Sequence, residues 1–287
     1  MANTIGNPLS WGARILGAAG QDIADVSREI GGREAEPPEV RRIGMADIRA
    51  AIRLGAADFA ALRTDVLMIC LLYPIIGAVL VWAAFNRNML PLVFPLISGF
   101  ALLGPVAAIG LYEMSRRREA GQTVSWADAF AVLGSPRFGA ILVLAAAHFF
   151  IFFLWILAAY GVFLATLGPE VPATASAFFT EVLTTNAGWA MIAVGLPLGF
   201  VFAAIVLASS IVSFPLLIDR PSGLPVAVVT SFRVARENPV TVAVWGLIVA
   251  ALLLLGSIPF LLGLAIVLPV LGHATWHLYR RAVVPPR

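Results

Sequence analysis

Polar and apolar positions along this chain are patterned on two length scales. The longer scale is set by runs such as VLMICLLYPIIGAVLVWAAF (Val66 to Phe85), which carries no charged side chain. A helix of about twenty residues crosses a hydrocarbon core of about 30 Å, so such runs predict membrane spans. Six are predicted, at about 66–85, 90–112, 138–167, 189–217, 240–257 and 259–279. The shorter scale is a helical period in the polar segments before the first, third and fifth runs. In MADIRAAIRLGAADFAALRTD, Met45, Ile48, Ile52, Phe59 and Leu62 share one face, while Asp47, Arg49, Arg53 and Asp58 lie largely off it. In SWADAFAVLGSP, Ser125 is placed as an N-cap before Trp126, Phe130 and Leu133. In LPVAVVTSFRVARENP, Pro225 suits a first turn, with Val228, Phe232 and Ala235 as the apolar stripe. Each segment ends on a helix-starting punctuation: Thr64-Asp65, Ser135-Pro136 or Asn238-Pro239. The expected fold is therefore all-α. It is a polytopic membrane helical bundle with six transmembrane helices as three hairpins, each preceded by a cytoplasmic amphipathic helix.

Residues 1–40 are predicted to be a polar cytoplasmic N-terminal segment, and 41–287 the six-span transmembrane domain. GGREAEPPEV (Gly31 to Val40) reads as a flexible linker. Upstream of it, Trp11, Ile15 and Ile23 would share one face of a further amphipathic helix.

Composition agrees with a membrane protein. The chain is 60% hydrophobic and 12% charged, against roughly half and a quarter in soluble domains. The net charge of +3 comes from arginine alone, since there is no lysine. Eighteen of the nineteen arginines fall in residues 1–65, the loops 113–137 and 218–239, and the tail; only Arg87 lies in an alternate loop. Positively charged loops stay on the cytoplasmic side. The expectation is a multi-pass inner-membrane protein with both termini cytoplasmic. The basic charge belongs beside lipid headgroups, so nucleic acid is not an expected partner. Cys70 is the single cysteine and lies within the first span, which rules out an intrachain disulfide.

Candidate chemistry is sparse. The stretch GHATWHLYRR puts His273 and His277 four residues apart on one helical face. His277, with Trp276, Tyr279, Arg280 and Arg281, reads as an aromatic and cationic belt at the wet end of the last span. His273 lies deeper, roughly 9 Å in, and must find a hydroxyl or carbonyl on another helix. His148 is about 15 Å inside the third span, near the midplane. With Glu113, these two histidines form the candidate intramembrane polar site. Glu113 precedes Arg116, Arg117 and Arg118, which can neutralise it or together contact an anionic lipid. Gly195, Gly199 and Ala203 form a small-residue packing stripe, followed by Ser209, Ser210 and Ser213 as interhelical hydrogen-bonding groups. Phosphate loops, nucleophile elbows and metalloprotease pairs are missing from the sequence, and HATWH lacks the glutamate of such a pair. No catalytic, cofactor or metal ligand is expected.

Several stretches, FALLGPVAAIGLYEMSRRREAG, VSWADAFAVLGSPRFGAI, SSIVSFPLLIDR and NPVTVAVWGLIVAALLLLGSIPFLLGLAIVLPVLGHATWHLYRR, resemble a bacterial family of integral membrane proteins known as domain of unknown function 2189. RRIGMADIRAAIRLGAADFAALRTDV resembles it more loosely. The resemblance runs from about residue 41 to the end and implies an inner-membrane address. It implies no catalytic residues. The reading that follows is a non-enzymatic scaffold or lipid-interacting bundle, with membrane lipids and other membrane proteins as its partners. The alternatives are a carrier or channel for a small or amphiphilic solute, and a haem-binding or oxidase-associated subunit.

Overall fold

The long apolar runs and the polar segments both become helix. In order these are α1 (Met45–Cys70), α2 (Val93–Leu102), α3 (Gly104–Ala107), α4 (Ile109–Glu119), a 3₁₀ segment (Trp126–Gly134), α5 (Phe138–Thr166), α6 (Ala175–Thr184), α7 (Asn186–Ser210), α8 (Ser213–Asp219), α9 (Leu224–Glu237), α10 (Pro239–Ser257) and α11 (Leu264–Ala282). A computed structural model describes residues 31, 36–71, 75–79, 82, 90–170, 172, 174–259 and 261–285. The further helix with Trp11, Ile15 and Ile23, residues 32–35 of the linker, part of the first predicted span, and Arg87 lie outside the described residues. Among those described, α5, the run from α7 through α8, and α10 are long and apolar enough to cross a membrane.

Two zones follow from what the helices bury. In the first, α5, α7 and α10 turn large apolar side chains outward, among them Phe150, Phe153, Phe200, Leu247 and Leu254. In the second, here termed the base, the loop-proximal ends of the helices close around one core. Helix α8 sits at its centre, and Ser213, Phe214, Leu216, Leu217 and Ile218 are all buried. A helix apolar all round needs neighbours on every side, and α8 packs against α4, α5, α9 and α11.

Proline explains where the predicted spans depart from single rods. The run 189–217, predicted as one span, turns at Ile211–Val212. Pro215 has no N–H to give the carbonyl of Ile211. Ser210 and Ser213 donate back to the carbonyls of Val206 and Ser209, both at 2.6 Å, which favours bending. The second run is likewise segmented, with Pro105 in the first turn of α3. The Pro95 carbonyl in α2 accepts the indole N–H of Trp155 at 2.9 Å, and Gly199 of α7 lies under the same ring. The small-residue stripe thus does pack on α5. Helix α6 occupies a stretch read as loop; Thr174 caps it and Thr185 caps α7.

The base is closed by α1 running antiparallel along α11. The buried stripe of α1 is Ile48, Ala51, Gly55, Asp58, Leu62 and Val66, a seam of threes and fours that faces one partner. The start of α1 meets the end of α11, where Asp47 pairs with Arg281; further along, Gly55 approaches Ala274 and Asp58 reaches His277 one turn away. Three expectations change here. Helix α1 runs through Thr64-Asp65 without a break. Asp58, placed off the apolar face by periodicity, points into the seam. Trp276 and Tyr279 are fully buried, so the end of α11 is core and not an aromatic belt. Asn238 also serves differently from a cap. Its Oδ1 accepts from Ile43 N at 2.8 Å and its Nδ2 donates to the Arg41 carbonyl at 3.1 Å, tying residues 41–43 to the start of α10. An antiparallel bridge between Val40 and Val283 brings both ends of the described chain to this side.

At Gly55 an added Cβ would lie 2.5 Å from the backbone N of Ala274. Gly55→Leu should therefore destabilise the folded protein by about 1–3 kcal/mol, read as a lowered melting temperature in detergent. Gly161→Leu, at an exposed position with nothing within 4 Å, should leave it nearly unchanged. Equal melting temperatures for the two variants would contradict the α1–α11 seam.

Candidate functional site

Two polar constellations occupy the base, and both grow from α4. The sequence IGLYEMSRRRE begins apolar and ends cationic, so its last two turns carry the charge. Leu111, Tyr112, Glu113, Met114 and Ser115 are nevertheless all buried. A carboxylate there needs cationic partners, and it has them. Arg116 forks onto Glu113, with Nε and Nη2 each 2.7 Å from a carboxylate oxygen. Arg117 Nε adds a third bond at 2.7 Å, while its Nη1 reaches Asp128 at 2.6 Å. Burial by itself would raise the Glu113 carboxyl, but the two guanidinium groups hold it below the usual range. Asp128 is set in turn by Ser125, whose N and Oγ donate to it at 2.8 and 3.0 Å, so Ser125 does start its helix as expected.

Glu113, Arg116 and Arg117 line a polar cavity of about 150 Å³ together with Ala131, Val132, Ser135, Arg137, Ile141 and Ile218. Arg137 donates to the carbonyl of Ile218. Three guanidinium groups thus surround a space that holds one carboxylate, with Asp128 beside it. Directly next to this cavity the 3₁₀ segment turns Trp126, Phe130 and Leu133 outward, with exposures of 44%, 52% and 60%. Arg118 leaves this group and pairs with Asp58 across the helix. The predicted cluster of three arginines is therefore split, and Arg137 takes the third place.

The second constellation joins α1, α4 and α11. Asp58 Oδ2 accepts from Ser115 Oγ at 2.7 Å and lies 2.9 Å from His277 Nε2, while Oδ1 takes Arg118. Ser115 Oγ is also 2.7 Å from Nδ1 of His273. Burial would raise the Asp58 carboxyl, and the hydrogen bonds from His277 and Ser115 outweigh it, so it titrates below the usual range. Nearby, Trp276 Nε1 donates to Glu119 at 2.8 Å and Tyr279 OH to Asp219 at 2.6 Å. Arg280 bridges the same two carboxylates.

His148 has a different setting from His273. Its Nδ1 donates to the Leu144 carbonyl at 2.9 Å, which leaves Nε2 as the acceptor facing Ser209 Oγ at 3.3 Å. Glu113, His148 and His273 thus have separate partners, on α4, α7 and α4 with α1, and do not form one site. Among the described residues no three His, Cys, Asp or Glu side chains are placed to hold a metal ion. Asp58, Ser115 and Arg137 were not singled out by sequence. The one signal for Asp58 was its four-residue spacing from Leu62 on the buried stripe.

Comparison with known families adds the class. Residues 93–219 match the model of a family described as "Predicted integral membrane protein (DUF2189)". Over that stretch the chain is similar to this family. The matched residues contain the whole arginine-lined cavity, whereas Asp58, His273 and His277 lie outside them. No curated protein and no solved structure matches the chain. In an integral membrane protein the outward phenylalanines and leucines of α5, α7 and α10 have lipid as their natural surroundings.

Asp58→Ala should cost about 3 kcal/mol of stability, because Ser115 and the α11 histidine lose a buried acceptor. The pH dependence follows from the lowered carboxyl. Its contribution is complete above the ordinary aspartate value and is lost as pH falls through the lower folded one. Melting temperatures of the two proteins should differ at neutral pH and converge in strong acid. A constant difference down to acid would contradict the assignment.

Proposed function

We propose that the protein is a non-enzymatic inner-membrane scaffold, a lipid-interacting bundle of six spans in three hairpins with both termini cytoplasmic. The observation that carries this reading is the arginine-lined cavity set beside outward aromatic side chains. Arg116, Arg117 and Arg137 offer donors suited to a phosphate, and Trp126, Phe130 and Leu133 suit the boundary between headgroups and acyl chains. Anionic lipid is the partner, with each arginine near an acidic surface contributing about 1 kcal/mol, weakened by salt. The arginine asymmetry of the loops supports the orientation, and the pairing of Val40 with Val283 supports ends on one side.

Lipid binding is tested with the triple variant Glu113→Gln, Arg116→Gln, Arg117→Gln, which removes the carboxylate with its partners and strands no buried charge. Native purification followed by lipid mass spectrometry should show several-fold less anionic lipid retained than in the unaltered protein. Equal retention would remove the cavity as a lipid site.

The topology is tested by cysteine labelling in a Cys70→Ser background. Single cysteines at Gln122, Thr174 and Arg236, all exposed, are treated with an impermeant thiol reagent in intact spheroplasts. Only Thr174→Cys should react. Labelling at Gln122→Cys or Arg236→Cys would overturn the six-span orientation.

A further inference from the structure

The lipid reading uses none of the side chains joining α1, α4 and α11, and among them is an unusual group. His273 is completely buried, and its Nε2, also shielded from solvent, has no hydrogen-bond partner. Leaving a buried polar atom unpaired costs about 1–3 kcal/mol. The other ring nitrogen is anything but isolated. From Nδ1 a continuous chain of hydrogen-bonding side chains leads outward: 2.7 Å to Ser115 Oγ, 2.7 Å on to Asp58 Oδ2, and 2.9 Å to Nε2 of His277. The His277 side chain is 13% exposed and is the only one of these three outward steps that reaches solvent, since Ser115 and Asp58 are buried.

We propose that His273 is a buried proton-binding site, filled from the surface along His277, Asp58 and Ser115. Each transfer balances. A proton on His277 Nε2 passes to Asp58 Oδ2, leaving a neutral imidazole and a carboxylic acid. Asp58 gives that proton to Ser115 Oγ as the Ser115 hydroxyl hydrogen moves to His273 Nδ1. The end state is an ionised Asp58, an intact serine and a His273 imidazolium. Return follows the same bonds in reverse, and no other reactant is needed. Serine can serve as the middle link because a hydroxyl both donates and accepts. Asp58 is a carrier and not the store, because Arg118 on its second oxygen keeps it anionic.

The groups facing His273 come from each packed element: Asp58 from α1, Ser115, Arg118 and the Leu111 carbonyl from α4, and His277 from α11 itself. Asp58 and Arg118 cancel, so the arriving proton gives the seam a net positive charge. It does so in the one interface that ties the first described helix to the last. Proton occupancy and the closure of α1 on α11 are thereby coupled.

The experiment is nitrogen-15 NMR of the full chain in nanodiscs with labelled histidine, each ring assigned by His148→Gln, His273→Gln and His277→Gln. Lowering pH from about 8 to about 3 runs well past the ordinary histidine value of about 6.5. Both His273 ring nitrogens should move reversibly to imidazolium positions while the protein stays folded. Ser115→Ala should slow proton exchange at His273 by about tenfold or more, the loss expected for a missing proton-transfer group, and Ser115→Thr should restore it. His273 nitrogens unchanged across the range in folded protein would overturn the proposal, as would unaltered exchange in Ser115→Ala. The titration uses unaltered protein, so it decides alone if Ser115→Ala does not fold.

Discussion

His277, Arg280 and Arg281 lie within the last turns of α11, a helix end that the fold buries instead of releasing to solvent. Each cationic or polar head must then find an acceptor, because a buried charge without one is costly. The acceptors come from three separate helices: Asp47 and Asp58 from α1, Glu119 from α4 and Asp219 from α8. This requirement fixes which elements may surround α11 and in what order. Helix α1 must run antiparallel, since only then do Asp47 and Asp58 meet Arg281 and His277 together. Helix α8 must end beside Tyr279, which puts its apolar body in the centre of the base. The bend before Pro215 is what allows α8 to reach that place.

The lipid-facing zone obeys a looser rule. There is no apolar advantage in helix association within lipid, so packing depends on close fit and on a few hydrogen bonds. Trp155 illustrates both, with its indole N–H on the Pro95 carbonyl and its ring over Gly199. His148 is of the same kind, a polar side chain satisfied at both nitrogens between α5 and α7. Specificity therefore concentrates in the base, where charge pairs select partners, and the outer faces remain permissive.

Much of this was legible in the pattern of the chain, and the reason for the rest is physical. Helical class, the apolar runs, the Ser125 start and the Pro225 first turn depend on local spacing, which sequence carries directly. Periodicity identifies an apolar face but not what covers it. Trp276 and Tyr279 would look the same facing headgroups or facing Glu119 and Asp219. Periodicity assigns Asp58 to the polar side because its donors, Ser115 and His277, lie far away in sequence. Arg118 likewise could not be separated from Arg116 and Arg117 by composition, since the separation depends on where α1 lies. The orphaned nitrogen of His273 is legible only in three dimensions.

The seam has a further meaning for how the chain is made. Asp47 and Arg281 are 234 residues apart in sequence, and the contacts of Val40 with Val283 span still more. During synthesis α1 emerges well before its partner, because N-terminal segments appear on the ribosome first. Until α11 arrives, Asp58 has no His277, and the apolar stripe of α1 has no cover. The first helix must therefore wait, lying against the membrane surface or a chaperone, while everything between is inserted. Its docking would then follow the synthesis of α11, and a chain cut short before α11 would carry an exposed stripe open to cellular quality control.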